Sequence, residues 1–134
     1  MKKDSWECWA QFYAVNPTTF SPEELTSVLG VAADLVYRKG DLRPDHKTAR
    51  RLANAWLLKS TRALNLDPSD NIDELLGRLK DVDLSRLRAL SGYSFGINIL
   101  GYFRKVMPPL CLSTEHIVAF ARLGLAFDID LYRI

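Results

Sequence analysis

What this sequence has little of narrows its chemistry before any motif does. Cysteine occurs twice, at Cys8 and Cys111, and histidine twice, at His46 and His116. These four side chains make no C-x-x-C pair and no metal-ligand spacing, so neither a structural zinc nor a dithiol redox centre is expected. One disulfide is arithmetically open, but a domain of 134 residues does not depend on it. A G-x-S-x-G nucleophile elbow is absent, as is a glycine-rich phosphate loop. Gly92, Gly96 and Gly101 fall in or beside an expected strand, where a bulge or close packing accounts for them. No apolar run approaches the roughly 20 residues of a membrane span. Met1-Lys2-Lys3 carries the charge of a signal-peptide start, yet Asp4, Glu7 and Gln11 interrupt the apolar core that should follow. A cytoplasmic location is expected. A net excess of either charge is lacking too: 18 Lys+Arg against 16 Asp+Glu gives +2, which excludes a polycation and an acidic tail.

What is present is ordinary globular composition, with 48% hydrophobic residues, so wholesale disorder is excluded. The length suits a single domain over residues 1–134. Glu7 to Val15 alternates as a strand, with Cys8, Ala10, Phe12 and Ala14 on one side and Glu7, Trp9, Gln11 and Tyr13 on the other. Cys8 therefore reads as a buried thiol acting as a small hydrophobe. After a turn at Asn16-Pro17, Ser21-Pro22-Glu23-Glu24 opens a helix, with Ser21 as cap, Pro22 at the first position and Glu24 completing a capping box. Leu25, Val28 and Leu29 form its stripe, Gly30 ends it, and Leu35 to Arg38 adds a short strand.

The last third repeats the pattern. Ser94 to Phe103 alternates, Pro108-Pro109 breaks the chain, and Ser113-Thr114-Glu115-His116 starts a helix striped by Ile117, Phe120 and Ala121. Gly124 stops that helix before a final strand, Ala126 to Arg133. Two β-α-β units, residues 6–38 and 94–134, thus flank a basic loop, a strand and a helix in residues 39–91. Within the middle piece, Arg43 to Leu52 reads as a loop or short exposed helix, and Ala55 to Thr61 as a strand. Asp70 to Lys80 reads as an amphipathic helix capped by Asp70, followed by a turn or two over Asp83 to Leu90. The expected class is α+β: a ferredoxin-like sandwich with an antiparallel or mixed sheet and helices on one face.

A family resemblance rests on a dispersed series of residues. These are the opening strand, Phe20-Ser21-Pro22-Glu23-Glu24-Leu25, Leu29-Gly30, Arg38-Lys39-Gly40-Asp41, Trp56, Leu112 to Ile117 and Phe127 to Tyr132. In them the chain resembles, over nearly its whole length, the bacterial family known as domain of unknown function 4279. Correspondence is least clear between Gly40 and Trp56. The resemblance implies a small bacterial α+β domain and brings no catalytic residues. Small bacterial families of this type often supply immunity proteins, encoded beside secreted or contact-delivered toxins. By that analogy, the expected function is a non-enzymatic module that binds and neutralises a cognate toxin or another basic protein, with no cofactor, metal or membrane partner.

The residues offer two candidate surfaces. If helices cover the face carrying Phe12, Ile97 and Ile129, the open face shows Trp9, Tyr13, Tyr102 and Tyr132 among Glu7, Asp128 and Asp130, with Lys59 as its main cation. Aromatics among carboxylates repel a phosphate backbone and suit a basic protein surface. Coverage by a second subunit is the competing reading, so self-association is also open. Asp128 and Asp130 share a face and could serve acid–base work or a hard cation, although a solvated sheet face is the commoner meaning of such a pair. Asp67, Asp70, Asp73 and Glu74 offer a further acidic surface, and His116 is expected to face solvent or bond locally. The alternative function is a single-stranded nucleic-acid or nucleotide binder. It would use Arg38, Lys39, Arg43, Lys47, Arg50 and Arg51, which with Asp41 and Asp45 give 6 − 2 = +4 over one short segment.

Overall fold

In the computed structural model, which describes residues 4–44 and 48–134, Trp6–Asn16 forms strand β1. Its alternation has the expected effect: Cys8, Ala10, Phe12 and Ala14 are fully buried, while Glu7, Trp9, Gln11 and Tyr13 are half-buried. Asn16 closes the following turn, its Oδ1 accepting from the N–H groups of Thr18 (2.9 Å) and Thr19 (3.1 Å). Helix α1 (Pro22–Leu29) then runs from the Ser21 cap to Gly30, which sits at φ 71°. Leu25, Val28 and Leu29 are buried along it, each worth about 1.5–3 kcal/mol. Its capping box is only half made: Ser21 Oγ accepts from the Glu24 N–H, but Glu24 itself stays exposed.

The remaining elements are β2 (Leu35–Tyr37), β3 (Asn54–Lys59), β4 (Ala63–Leu64), α2 (Pro68–Arg78), α3 (Leu84–Ala89), β5 (Ser94–Phe103), α4 (Thr114–Leu123) and β6 (Ala126–Arg133). Helix α2 starts earlier than the sequence suggested. Asp67, not Asp70, caps it, because the Asp67-Pro68 pair places a cap oxygen before a proline already fixed at helical φ. Helix α4 closes a complete capping box in which His116 takes the place of the usual carboxylate.

Among the described residues the six strands form one mixed sheet, with the path β2-β3-β1-β5-β6 and β4 alongside β1. All pairings are antiparallel except β5 with β6. The two β-α-β segments are therefore laid out differently. Strands β5 and β6 are parallel neighbours, whereas β3 lies between β1 and β2. Cap and stop signals encode a helix but not the lateral position of the strand after it. Strand β3 carries its own positional cue: Ala55, Trp56, Leu57 and Leu58 are all buried, as befits an interior strand.

All four helices contribute to one apolar cluster on a single face of the sheet. Its largest member is Trp56, set edge-on to Phe12 at 6.0 Å and donating from Nε1 to Thr26 Oγ1 at 3.2 Å. Such pairing keeps the buried indole satisfied. Ile129, expected under the helices, stays 46% exposed because β6 is an edge strand. Two polar contacts, one exposed and one on a buried histidine, also tie the layers. Asp34 takes a bidentate contact from Arg78 of α2 (2.6 and 3.2 Å) and the Lys59 N–H of β3 (2.7 Å). His116 Nε2 lies 2.6 Å from Asp73 Oδ1, joining α4 to α2.

Candidate functional site

The face of the sheet away from the helices is the candidate site. Strand pairing fixes which side chains share it. Glu7 opposes Tyr102, Trp9 opposes Leu100, Gln11 opposes Asn98, and Tyr13 opposes Gly96. Parallel pairing to β6 then adds Asp128 beside Asn98, Asp130 beside Leu100 and Tyr132 beside Tyr102. The seven residues singled out in the sequence, Glu7, Trp9, Tyr13, Tyr102, Asp128, Asp130 and Tyr132, therefore lie on one face. Lys59 joins them through its pairing with Gln11.

Three rings form a row across β1, β5 and β6. Trp9 and Tyr102 have centroids 6.4 Å apart, and Tyr102 and Tyr132 are 6.2 Å apart. Tyr132 is 59% exposed and Tyr102 39%, so one end of the row is open. Tyr13 lies across β5, made possible by Gly96: a Cβ there would sit 2.2 Å from the Tyr13 oxygen. The Tyr13 hydroxyl donates to Asp128 Oδ2 at 3.1 Å. Burial, reinforced by that bond, raises its phenol above the ordinary value.

The sequence reading missed one cation on this face. Arg62 precedes the two-residue β4, too short a strand to read from pattern. Its guanidinium sits 4.2 Å from the Trp9 ring centroid and forms an ion pair with Glu7. Arg62, rather than Lys59, is the cation beside the aromatic row, and it neutralises Glu7. Asp128 and Asp130 are exposed and have no cationic partner among the described residues. The negative charge of the face therefore gathers at the β6 end. Leu64, 59% exposed and paired with Glu7, adds apolar surface at the other end.

The second acidic surface is largely spent on structure. Asp67 caps α2, Asp73 engages His116, and Glu74 accepts from the Thr61 N–H and hydroxyl. His116 itself is buried rather than solvent-facing, because α2 packs over it. Its Nδ1 accepts from the Ser113 N–H (3.3 Å), so the neutral ring carries its proton on Nε2, towards Asp73. Ser113 Oγ accepts from the His116 backbone N–H (3.1 Å), an arrangement that caps a helix and does not activate a hydroxyl. Cys8 is buried and donates to the Leu66 carbonyl at 3.3 Å; burial, with Asp67 nearby, pushes its thiol up to about 11. Cys111 is exposed, and both cysteines are free.

The basic segment divides. Arg38 reaches over the Phe20 ring (5.4 Å), which packs against the helix-side core. Arg51 lies over Tyr37 (3.9 Å), whose partner Ala55 belongs to the open face. Lys39 contributes its backbone N–H to Asn54 Oδ1, and Arg50 Nη1 donates to the Gly40 carbonyl at 2.8 Å. Pairing of Leu42 with Arg50 makes the segment hairpin-like rather than helical. Lys47, with Asp45 and His46, falls outside the described residues. Arg43, Arg50 and Arg51 come together around a cleft of about 470 Å³, while Arg38 and Lys39 do not line it. Among the described residues no group of three or more His, Cys, Asp or Glu is placed to hold a metal ion, and no helix is long and apolar enough to cross a membrane.

The geometry defines an α+β protein with one helix-covered sheet face and one face of aromatics and carboxylates. The chain belongs to the family described as domain of unknown function (DUF4279), whose model matches residues 7–133. No curated protein and no solved structure matches the chain.

Proposed function

We propose that this chain is a non-enzymatic protein-binding module whose open sheet face takes a basic surface of a partner protein. The carrying observation is the row Trp9–Tyr102–Tyr132 beside two exposed carboxylates, Asp128 and Asp130, that no cation answers among the described residues. Rigid aromatic rings supply desolvated contact area, and tyrosine and tryptophan are over-represented where binding energy concentrates. Carboxylates beside the row, desolvated when the partner docks, pair with its cations and fix its register. Because Arg62 already pairs with Glu7, the attraction comes from the β6 end, and Glu7 acts through Arg62 and Trp9 rather than as a free charge.

In its specific form, the module is a bacterial immunity protein acting in the cytoplasm. It would occlude a cognate toxin by steric block and charge complementarity. The order β2-β3-β1-β5, with α1 and α2 as crossovers, supports a ferredoxin-like core extended by α4 and β6. The single-stranded nucleic-acid reading has weaker support, since Arg38 and Arg51 stack on rings on opposite faces and do not make one strip.

The test is affinity capture from the source cells with the whole chain as bait, in parallel with an Asp128→Lys plus Asp130→Lys bait. A basic protein held by the first and released by the second supports the reading. Retention by both baits alike, or a partner that is a second copy of the chain, sinks it. Co-expression with the captured protein then tests neutralisation: relief of a growth defect is expected.

A further inference from the structure

The described residues on either side of the Leu42–Arg50 pairing border, together with one end of the open face, the 470 Å³ cleft. Small-ligand sites commonly measure about 300–1,000 Å³ and combine apolar walls with a few polar groups. This cleft has that composition. Val15, Tyr37 and Ala55 line it from the sheet, and Arg43, Arg50 and Arg51 line it from the hairpin. Leu52, also lining it, is 87% exposed, a large apolar side chain left at the opening.

The decisive group is Arg51. It is half-buried, with its guanidinium stacked 3.9 Å from the Tyr37 centroid, and that guanidinium makes no hydrogen bond or ion pair among the described residues. A guanidinium stacked on a ring still directs its N–H donors outward in its own plane. A half-desolvated cation with unused donors is well matched to a carboxylate or phosphate, which it can hold in two parallel bonds. Arg50 commits Nη1 to the Gly40 carbonyl, which orients the side chain and leaves further donors.

We propose that this cleft binds a small organic anion, with its carboxylate or phosphate on Arg50 and Arg51 and its apolar body between Leu52 and the sheet residues Val15 and Ala55. The site is independent of protein docking by the aromatic row, which lies on β1, β5 and β6. A bare phosphate would leave the apolar walls unused, and an uncharged body would leave Arg51 unanswered. Both halves of the ligand are needed.

The experiment titrates the ¹⁵N-labelled whole chain with phenyl phosphate and with benzoate, using inorganic phosphate and phenol as the half-ligands. Saturable shifts at Tyr37, Arg50, Arg51 and Ala53 are expected, with at least one whole ligand binding tenfold or more tightly than either half. Arg51→Ala should weaken that binding at least tenfold. Ala49→Leu keeps every charge but fills the cleft, and should weaken it as much. Should Arg51→Ala disturb the hairpin, Arg51→Lys keeps the charge without the planar fork and should still lose about fivefold. Affinity no better than inorganic phosphate, or indifference to Ala49→Leu, overturns the proposal. So does retention of a single-stranded oligonucleotide by a chain that ignores phenyl phosphate.

Discussion

Replacing Gly96 by alanine tests how the open face is built. The added Cβ would meet Tyr13 at 2.2 Å from its hydroxyl oxygen, 2.3 Å from Cζ and 2.7 Å from Cε1, all well inside contact distance. The ring must leave the surface of β5, and the bond to Asp128 breaks with it. Losing a cross-strand ring contact costs about 0.2–1 kcal/mol, and losing one exposed hydrogen bond about 0.5–1.5 kcal/mol. Gly96→Ala should therefore destabilise the chain by about 0.7–2.5 kcal/mol in urea unfolding. The mechanism, rather than the total, is what the cycle examines. In a Tyr13→Ala background the clash has no partner, and alanine loses less conformational freedom on folding than glycine does, so Gly96→Ala should be neutral or slightly stabilising. Tyr13→Phe should cost only the hydrogen-bond share. If Gly96→Ala costs the same with and without Tyr13, the ring is not what the glycine accommodates, and the account of this face fails.

Three further outcomes follow from the same structure. At pH 8 a thiol reagent should modify Cys111 quickly and Cys8 only on unfolding, because Cys8 is buried with its thiol pushed up to about 11; two equally fast thiols would contradict this. Asp34→Asn should cost up to about 1 kcal/mol at pH 7, discounted for the partial exposure of the pair. Arg78 holds the Asp34 carboxyl below its ordinary value, so its contribution is present above the unfolded value and lost as pH falls through the lower folded one; the gap between variant and wild type should close in acid. Trp56→Ala removes the largest buried side chain and should cost about 3–5 kcal/mol, read from the chemical denaturation midpoint.

The face was legible from the sequence because strand parity is strict. Once Cys8, Ala10, Phe12 and Ala14 are assigned to the core, Trp9 and Tyr13 have nowhere else to point. Helix ends were equally readable at Ser21, Gly30, Ser113 and Gly124, where cap and stop residues act locally. Lateral order was not legible, because pairing of β3 between β1 and β2 depends on contacts far apart in the chain. The Asp67-Pro68 start of α2 was available as a signal but lost to the more obvious apolar stripe beyond Asp70. Arg62 and its grip on Trp9 and Glu7 carry no periodic signature, and the same holds for the fold of the basic hairpin around its cleft. Both arise from where a loop lands, which tertiary packing decides.

The most direct test of the account is the affinity of the captured partner for the wild-type chain and for the Asp128→Lys plus Asp130→Lys variant, measured by titration calorimetry at fixed salt. Truncating or reversing one member of a buried charge pair costs about 2–5 kcal/mol, and each 1.4 kcal/mol is about tenfold in affinity. A loss of at least a hundredfold, with Arg50→Ala plus Arg51→Ala leaving affinity unchanged, is the expected result. Equal affinity of the lysine variant and the wild type, with both folded, would contradict the open face as the docking surface.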